Sequence, residues 1–160
     1  MPRRAPAMSG LRLFGHPLHP SLVHLPVGLL AGGTIWDGVA LWTGRGFWWE
    51  AAFWTLALGV ASALPAALTG LLDFARIPED DPATTRAWQH LTATLASVSL
   101  YGGSLLVRGG AGPPEPGRIG WAVGLSVLGL AVLAAAGWTG GDLVLRYGLG
   151  RADRDVPGPG

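Results

Sequence analysis

The sequence predicts an all-α fold, a four-helix transmembrane bundle with both termini on the same side of the membrane. Two observations carry this. Hydrophobic residues make up 49% of the 160 positions and charged residues only 13%, with a mean hydropathy of +0.38, too apolar and too charge-poor for an ordinary soluble domain. The apolar residues also fall into four long runs, each near the ~20 residues that cross a hydrocarbon core of ~30 Å at 1.5 Å per residue. The net charge of +1 and the scattered arginines provide no basic face for nucleic acid. The absence of cysteine excludes disulfides, Cys-ligated zinc, iron–sulfur clusters held by this chain and covalent haem attachment.

Residues 1–14 contain Arg3, Arg4 and Arg12 but no continuous apolar stretch and no small-residue cleavage site, so they read as a retained cytoplasmic segment. A membrane domain is expected over residues 15–150. Its first span covers about 21–43, and after a short link at Gly44–Gly46 the second covers 47–74. The polar loop Ala75–Thr85 leads to a third span over 86–107, the least apolar of the four. Gly109–Gly117 is rich in helix breakers and reads as a loop. The fourth span covers 119–138, with its exit beginning at Gly140–Asp142. Residues 151–160, polar with prolines, are expected to be disordered. Pro26 and Pro65 lie inside spans one and two and predict kinks there, or a first helix that starts only near Pro26.

Four spans place the termini and the second loop on one side, called side A. Arg3, Arg4, Arg12, Arg76, Arg86, Arg146, Arg151 and Arg154 gather there, against Arg45, Arg108 and Arg118 on side B. The positive-inside rule therefore predicts a cell (inner) membrane protein with cytoplasmic termini. Trp42, Trp48, Trp49 and Trp121 mark the side B boundary, and Trp88 and Trp138 mark side A.

The candidate site is the stretch GHPLHPSLVHLP, Gly15–Pro26, which holds His16, His19 and His24, three of the four histidines. The up-and-down topology brings these three, together with Asp73, His90 and Asp142, to the side A end. Neutral imidazoles are good ligands for haem iron, copper or zinc, and carboxylates commonly orient them. Pro17 and Pro20 favour extended backbone before them, and Pro26 allows His24 to lie on a re-entrant or extended segment. Helical spacing puts His90, Thr94, Ser97, Tyr101 and Ser104 on one stripe of span three. Thr55, Gly59, Ser62, Ala66, Thr69 and Asp73 share one face of span two, and the two stripes are expected to face each other. Asp37 lies about one turn from side B, where an ionised carboxylate needs a partner; a hydrogen-bonded anchor is the favoured reading, a proton path the other.

At these residues the chain resembles the bacterial membrane family called domain of unknown function 2231. The family's pattern GHPLHPxLVHxPIG is met at Gly15–Gly28, with Val27 at the isoleucine position. The resemblance continues through WWEAAFW at Trp48–Trp54, ALTGLLD at Ala67–Asp73, His90 and GWTGGDLVLRYGLG at Gly137–Gly150, covering roughly residues 10–150. Some proteins with this domain are fused to Rieske-type or cytochrome c domains, which implies electron-transfer surroundings.

These readings combine into an expectation of a bundle that binds haem b or a divalent metal and passes electrons between membrane quinone and a redox partner. His24 and His90, from spans one and three, form the expected axial pair. His16 and His19 support the propionates or a metal, Asp73 and Asp142 orient imidazoles, and Arg86 meets the propionates. The alternative is a non-enzymatic membrane subunit or small-molecule transporter without a cofactor. Nucleophilic catalysis is disfavoured, because no serine sits in a GxSxG-like turn and cysteine is absent. Small-residue faces on spans one and four suggest a homodimer in the lipid bilayer.

Overall fold

The structure, a computed structural model, describes residues 10–149. Arg3, Arg4, Arg151, Arg154 and the expected tail lie outside the described residues. The described residues open with a short β-hairpin of two-residue strands, β1 (Arg12–Leu13) and β2 (His16–Pro17), paired antiparallel. Its tip residues Phe14 and Gly15 both have positive φ, 50° and 79°, the pattern of a tight type I′ turn. Four helices follow: α1 (Leu18–Thr43), α2 (Gly46–Phe74), α3 (Thr84–Arg108) and α4 (Pro116–Leu145). All four are long and apolar enough to cross a membrane.

Helix α1 begins at Leu18, not near Pro26. Pro20 is tolerated because it falls in the first turn, where backbone N–H groups have no partner within the helix. The helix then runs through Pro26, as α2 runs through Pro65. His24 therefore stands on regular helix, and the re-entrant alternative is corrected. The fourth helix is longer than expected, because Gly140–Asp142 continue it for a further turn instead of ending it.

Burial is inverted relative to a soluble bundle. Leu58, Leu64, Leu95, Leu106, Trp54 and Trp121 point outward, while the interior is closed by Ala40, Ala52, Ala122, Ser97, Ser104 and the ionisable Asp37 and Arg108. A surface of leucine and tryptophan around a small-residue and polar interior suits lipid as the solvent. Trp49 departs from the expected boundary belt and is buried, whereas Trp42, Trp121 and Trp138 are exposed.

The main pairings are the hairpins α1/α2 and α3/α4; contacts of α2 with α3 and of α1 with α4 are sparser. Close approach within each hairpin rests on glycine. Leu30 of α1 packs into the notch at Gly59 of α2, and Tyr101 of α3 into the notch at Gly129 of α4. Leu30, Leu56 and Tyr101 make the core, flanked by Val60, Leu105, Leu130 and Leu133. The polar stripe of α3 does not face that of α2. Ser97 donates to the Gly129 carbonyl and Ser104 to that of Ala122, both on α4, and Tyr101 bonds Thr34 of α1. A hydroxyl in lipid takes the nearest backbone acceptor, and for α3 that is its hairpin partner.

Candidate functional site

Two of the expected site residues meet. His19, in the first turn of α1, and His90, in α3, have ring centres 6.3 Å apart with planes at 80°. Each ring is held in the same way by the other helix of its own hairpin. His19 Nδ1–H donates to the Ala66 carbonyl of α2 at 2.8 Å, and His90 Nδ1–H donates to the Ala136 carbonyl of α4 at 2.9 Å. A carbonyl can only accept, so this bond assigns the proton to Nδ1, and in the neutral imidazole Nε2 keeps its lone pair. The same two carbonyls also accept from Thr69 and Thr139, one turn further along.

Each ring is seated in a glycine notch. A Cβ added at Gly70 would fall 2.7 Å from His19 Cε1, and one added at Gly140 would fall 2.9 Å from His90 Cε1. Gly70→Ala and Gly140→Ala are therefore expected to push the rings off their carbonyls, at about 1–3 kcal/mol each. Imidazole 15N resonances of labelled protein check this: unchanged Nδ1–H signals in both variants would mean that the notches do not hold the rings.

The rest of the expected cluster disperses. His24 follows His19 by five residues, about 140° around a helix with 3.6 residues per turn, and is exposed on the outer face. His24 therefore does not approach His90, and the histidine that does is His19. His16 is exposed on β2, its ring bonded to the Phe14 carbonyl. Asp73 accepts from the Leu11 amide at 2.7 Å and lies near Arg76, fastening the N-terminal segment to the end of α2. Asp142 pairs with Arg86 at 2.8 Å and with Arg146 at 3.1 Å. Neither carboxylate orients an imidazole; backbone carbonyls do that. Arg86 is already engaged by Asp142 and Gln89. Among the described residues no group of three or more His, Asp or Glu converges as a metal-ligand set.

A second polar centre lies near side B. Asp37 of α1 is fully buried and forms an ion pair with Arg108 at the end of α3, whose side chain is also buried. Arg108 Nε donates to Ser104, and its Nη2 is shared between Asp37 and Ser126 of α4. Asp37 Oδ1 and Arg108 Nη1 have no hydrogen-bond partner among the described residues. The partner that Asp37 needed is therefore an arginine that reads in sequence as an ordinary side B flank.

The family described as "Predicted membrane protein (DUF2231)" matches residues 15–153. The chain belongs to the DUF2231 family. The DUF2231 match takes in all four helices and both polar centres. No curated protein and no solved structure matches the chain significantly.

Proposed function

We propose that this DUF2231 protein holds one transition-metal atom between His19 and His90 and serves electron transfer at the side A end of the bundle. The observation that carries the reading is the identical treatment of the two rings. Each gives its Nδ1–H to a backbone carbonyl, the arrangement that fixes ring orientation and raises donor strength in metal-binding histidines, and leaves Nε2 free. Their spacing supports it. Two imidazoles on opposite sides of one metal atom at about 2.0–2.1 Å per bond would have ring centres roughly 6.4 Å apart, against 6.3 Å here. Haem iron and a bare ion both take imidazole nitrogen. The bare ion suits the site better, since the arginine expected to meet haem propionates is committed to Asp142.

The arginines also support an orientation. Arg108 is buried in its ion pair and does not act as a loop charge, leaving Arg45 and Arg118 on side B against Arg12, Arg76, Arg86 and Arg146 among the described residues. This bias supports side A as cytoplasmic, so electrons would be exchanged there between a redox partner or membrane quinone and the metal.

Metal analysis and absorption spectra of the detergent-purified full chain, loaded with haem or with copper, zinc or iron, test the proposal. About one metal atom per chain is expected, lost in His19→Ala and in His90→Ala and kept in His16→Ala and His24→Ala. A Soret band sensitive to the same two residues would identify haem. Wild-type protein that takes up neither haem nor ion would sink the proposal and leave the two histidines as packing groups that fill glycine notches.

A further inference from the structure

The two hairpins make their internal contacts at the same three levels, and at two of them the contacts are alike in kind. On side A, His19 bonds the Ala66 carbonyl and fills the notch at Gly70; His90 bonds the Ala136 carbonyl and fills the notch at Gly140. At mid-depth Leu30 sits on Gly59, and Tyr101 sits on Gly129. Towards side B, Gly33 receives Leu56, and Ser104 bonds Ser126. In every case the residue of α3 lies 71 positions after its counterpart in α1, and the residue of α4 lies 70 positions after its counterpart in α2. Gly59, Ala66, Thr69 and Gly70 recur unchanged as Gly129, Ala136, Thr139 and Gly140.

Two contacts locate the relation in space. His19 touches His90 and Asp37 pairs with Arg108, in each case a residue meeting its own counterpart, 71 positions away. A group that meets its own symmetry mate lies on the symmetry axis. Both α1 and α3 run from side A to side B, so an axis passing both contacts runs along the bundle, as expected for parallel repeats related about the membrane normal.

We propose that the chain is two copies of one helical hairpin joined head to tail about this two-fold axis, with Asp37 and Arg108 selecting which hairpin pairs with which. Two copies carrying the same residue at this level would bring two aspartates, or two arginines, together in the dry interior. The acid in the first copy and the base in the second make only the mixed pairing favourable. The side A level differs, because two histidines are compatible with each other and the same residue stands in both copies. This inference does not rest on metal binding.

Exchanging whole levels between the copies tests it in the full chain. Asp37→Arg alone and Arg108→Asp alone are expected to yield little folded protein. The six-site exchange Gly33→Ser, Asp37→Arg, Leu56→Ser, Ser104→Gly, Arg108→Asp and Ser126→Leu rebuilds the same centre turned about the axis. Its unfolding temperature in detergent is expected within about 5 °C of wild type. A second exchange moves no charge: Leu30→Tyr, Thr34→Leu, Tyr101→Leu and Leu105→Thr carry the core tyrosine and its hydroxyl partner to the first copy. Recovery in this second exchange carries the two-fold relation, and failure of the charged exchange beside it would overturn only the role given to Asp37 and Arg108. If the second exchange unfolds more than about 15 °C below wild type, the axis is wrong and the proposal falls.

Discussion

Replacing Arg108 with methionine is expected to destabilise the bundle by about 3–5 kcal/mol, because it strands the Asp37 carboxylate where no solvent reaches it. The loss is not that of one contact. Arg108 also donates to Ser104 and Ser126, so three acceptors on three helices lose their shared cation. Removing both charges together, with Asp37→Leu and Arg108→Met, is expected to restore most of the stability, since a buried ion pair replaced by apolar groups of similar size is often neutral or better. Denaturant unfolding in detergent followed by tryptophan fluorescence distinguishes the two. A single variant with an unchanged midpoint would show that the pair does not form.

The second large effect lies at Gly33. A Cβ placed there falls 2.5 Å from Leu56 Cδ2 and 3.2 Å from the Leu56 backbone nitrogen, so a rotamer change by Leu56 cannot fully relieve it. Gly33→Val is expected to part α1 from α2 at a cost of about 3 kcal/mol or more. Gly38 is on the same helix but has nothing within 4 Å of an added Cβ, and Gly38→Val should change stability by less than about 1 kcal/mol. The same unfolding assay on both reads the difference; equal costs would mean that helix propensity, rather than the notch, governs. Adding Leu56→Ala to Gly33→Val should return part of the loss, since the two groups compete for one space.

The four spans were legible because length and hydropathy are properties of a run, insensitive to which side chain points where. Helix ends shifted by a few residues, most at α4, where glycines that break helices in water are tolerated between membrane neighbours. The site was legible only in part. Sequence brought the histidines to one end of the bundle, where His19 and His90 do meet, yet rotation about α1 decides which of them turns inward, and that depends on where the helix starts. Allowing for a start near Pro26 left His24 free to turn inward; a start at Leu18 aims His19 at His90. The orienting groups were harder still, because Ala66 and Ala136 act through carbonyls that every residue has. Arg108 could have been found. An acid buried near side B needs a base at the same depth, and of the three side B arginines Arg108 alone ends a helix, while Arg45 and Arg118 flank loops or open one.

The closed level of Leu30, Leu56 and Tyr101 has an electrical consequence. It separates the histidine pair from the Asp37–Arg108 pair by several helical turns of tightly packed side chains. A unit charge carried across a whole membrane gains about 2.3 kcal/mol per 100 mV. A charge appearing between His19 and His90 would have traversed little of that drop, because they stand within the first two turns of their helices. Under the proposed metal site, the histidine end would open to one compartment, and its chemistry would be largely insulated from any voltage across the bundle.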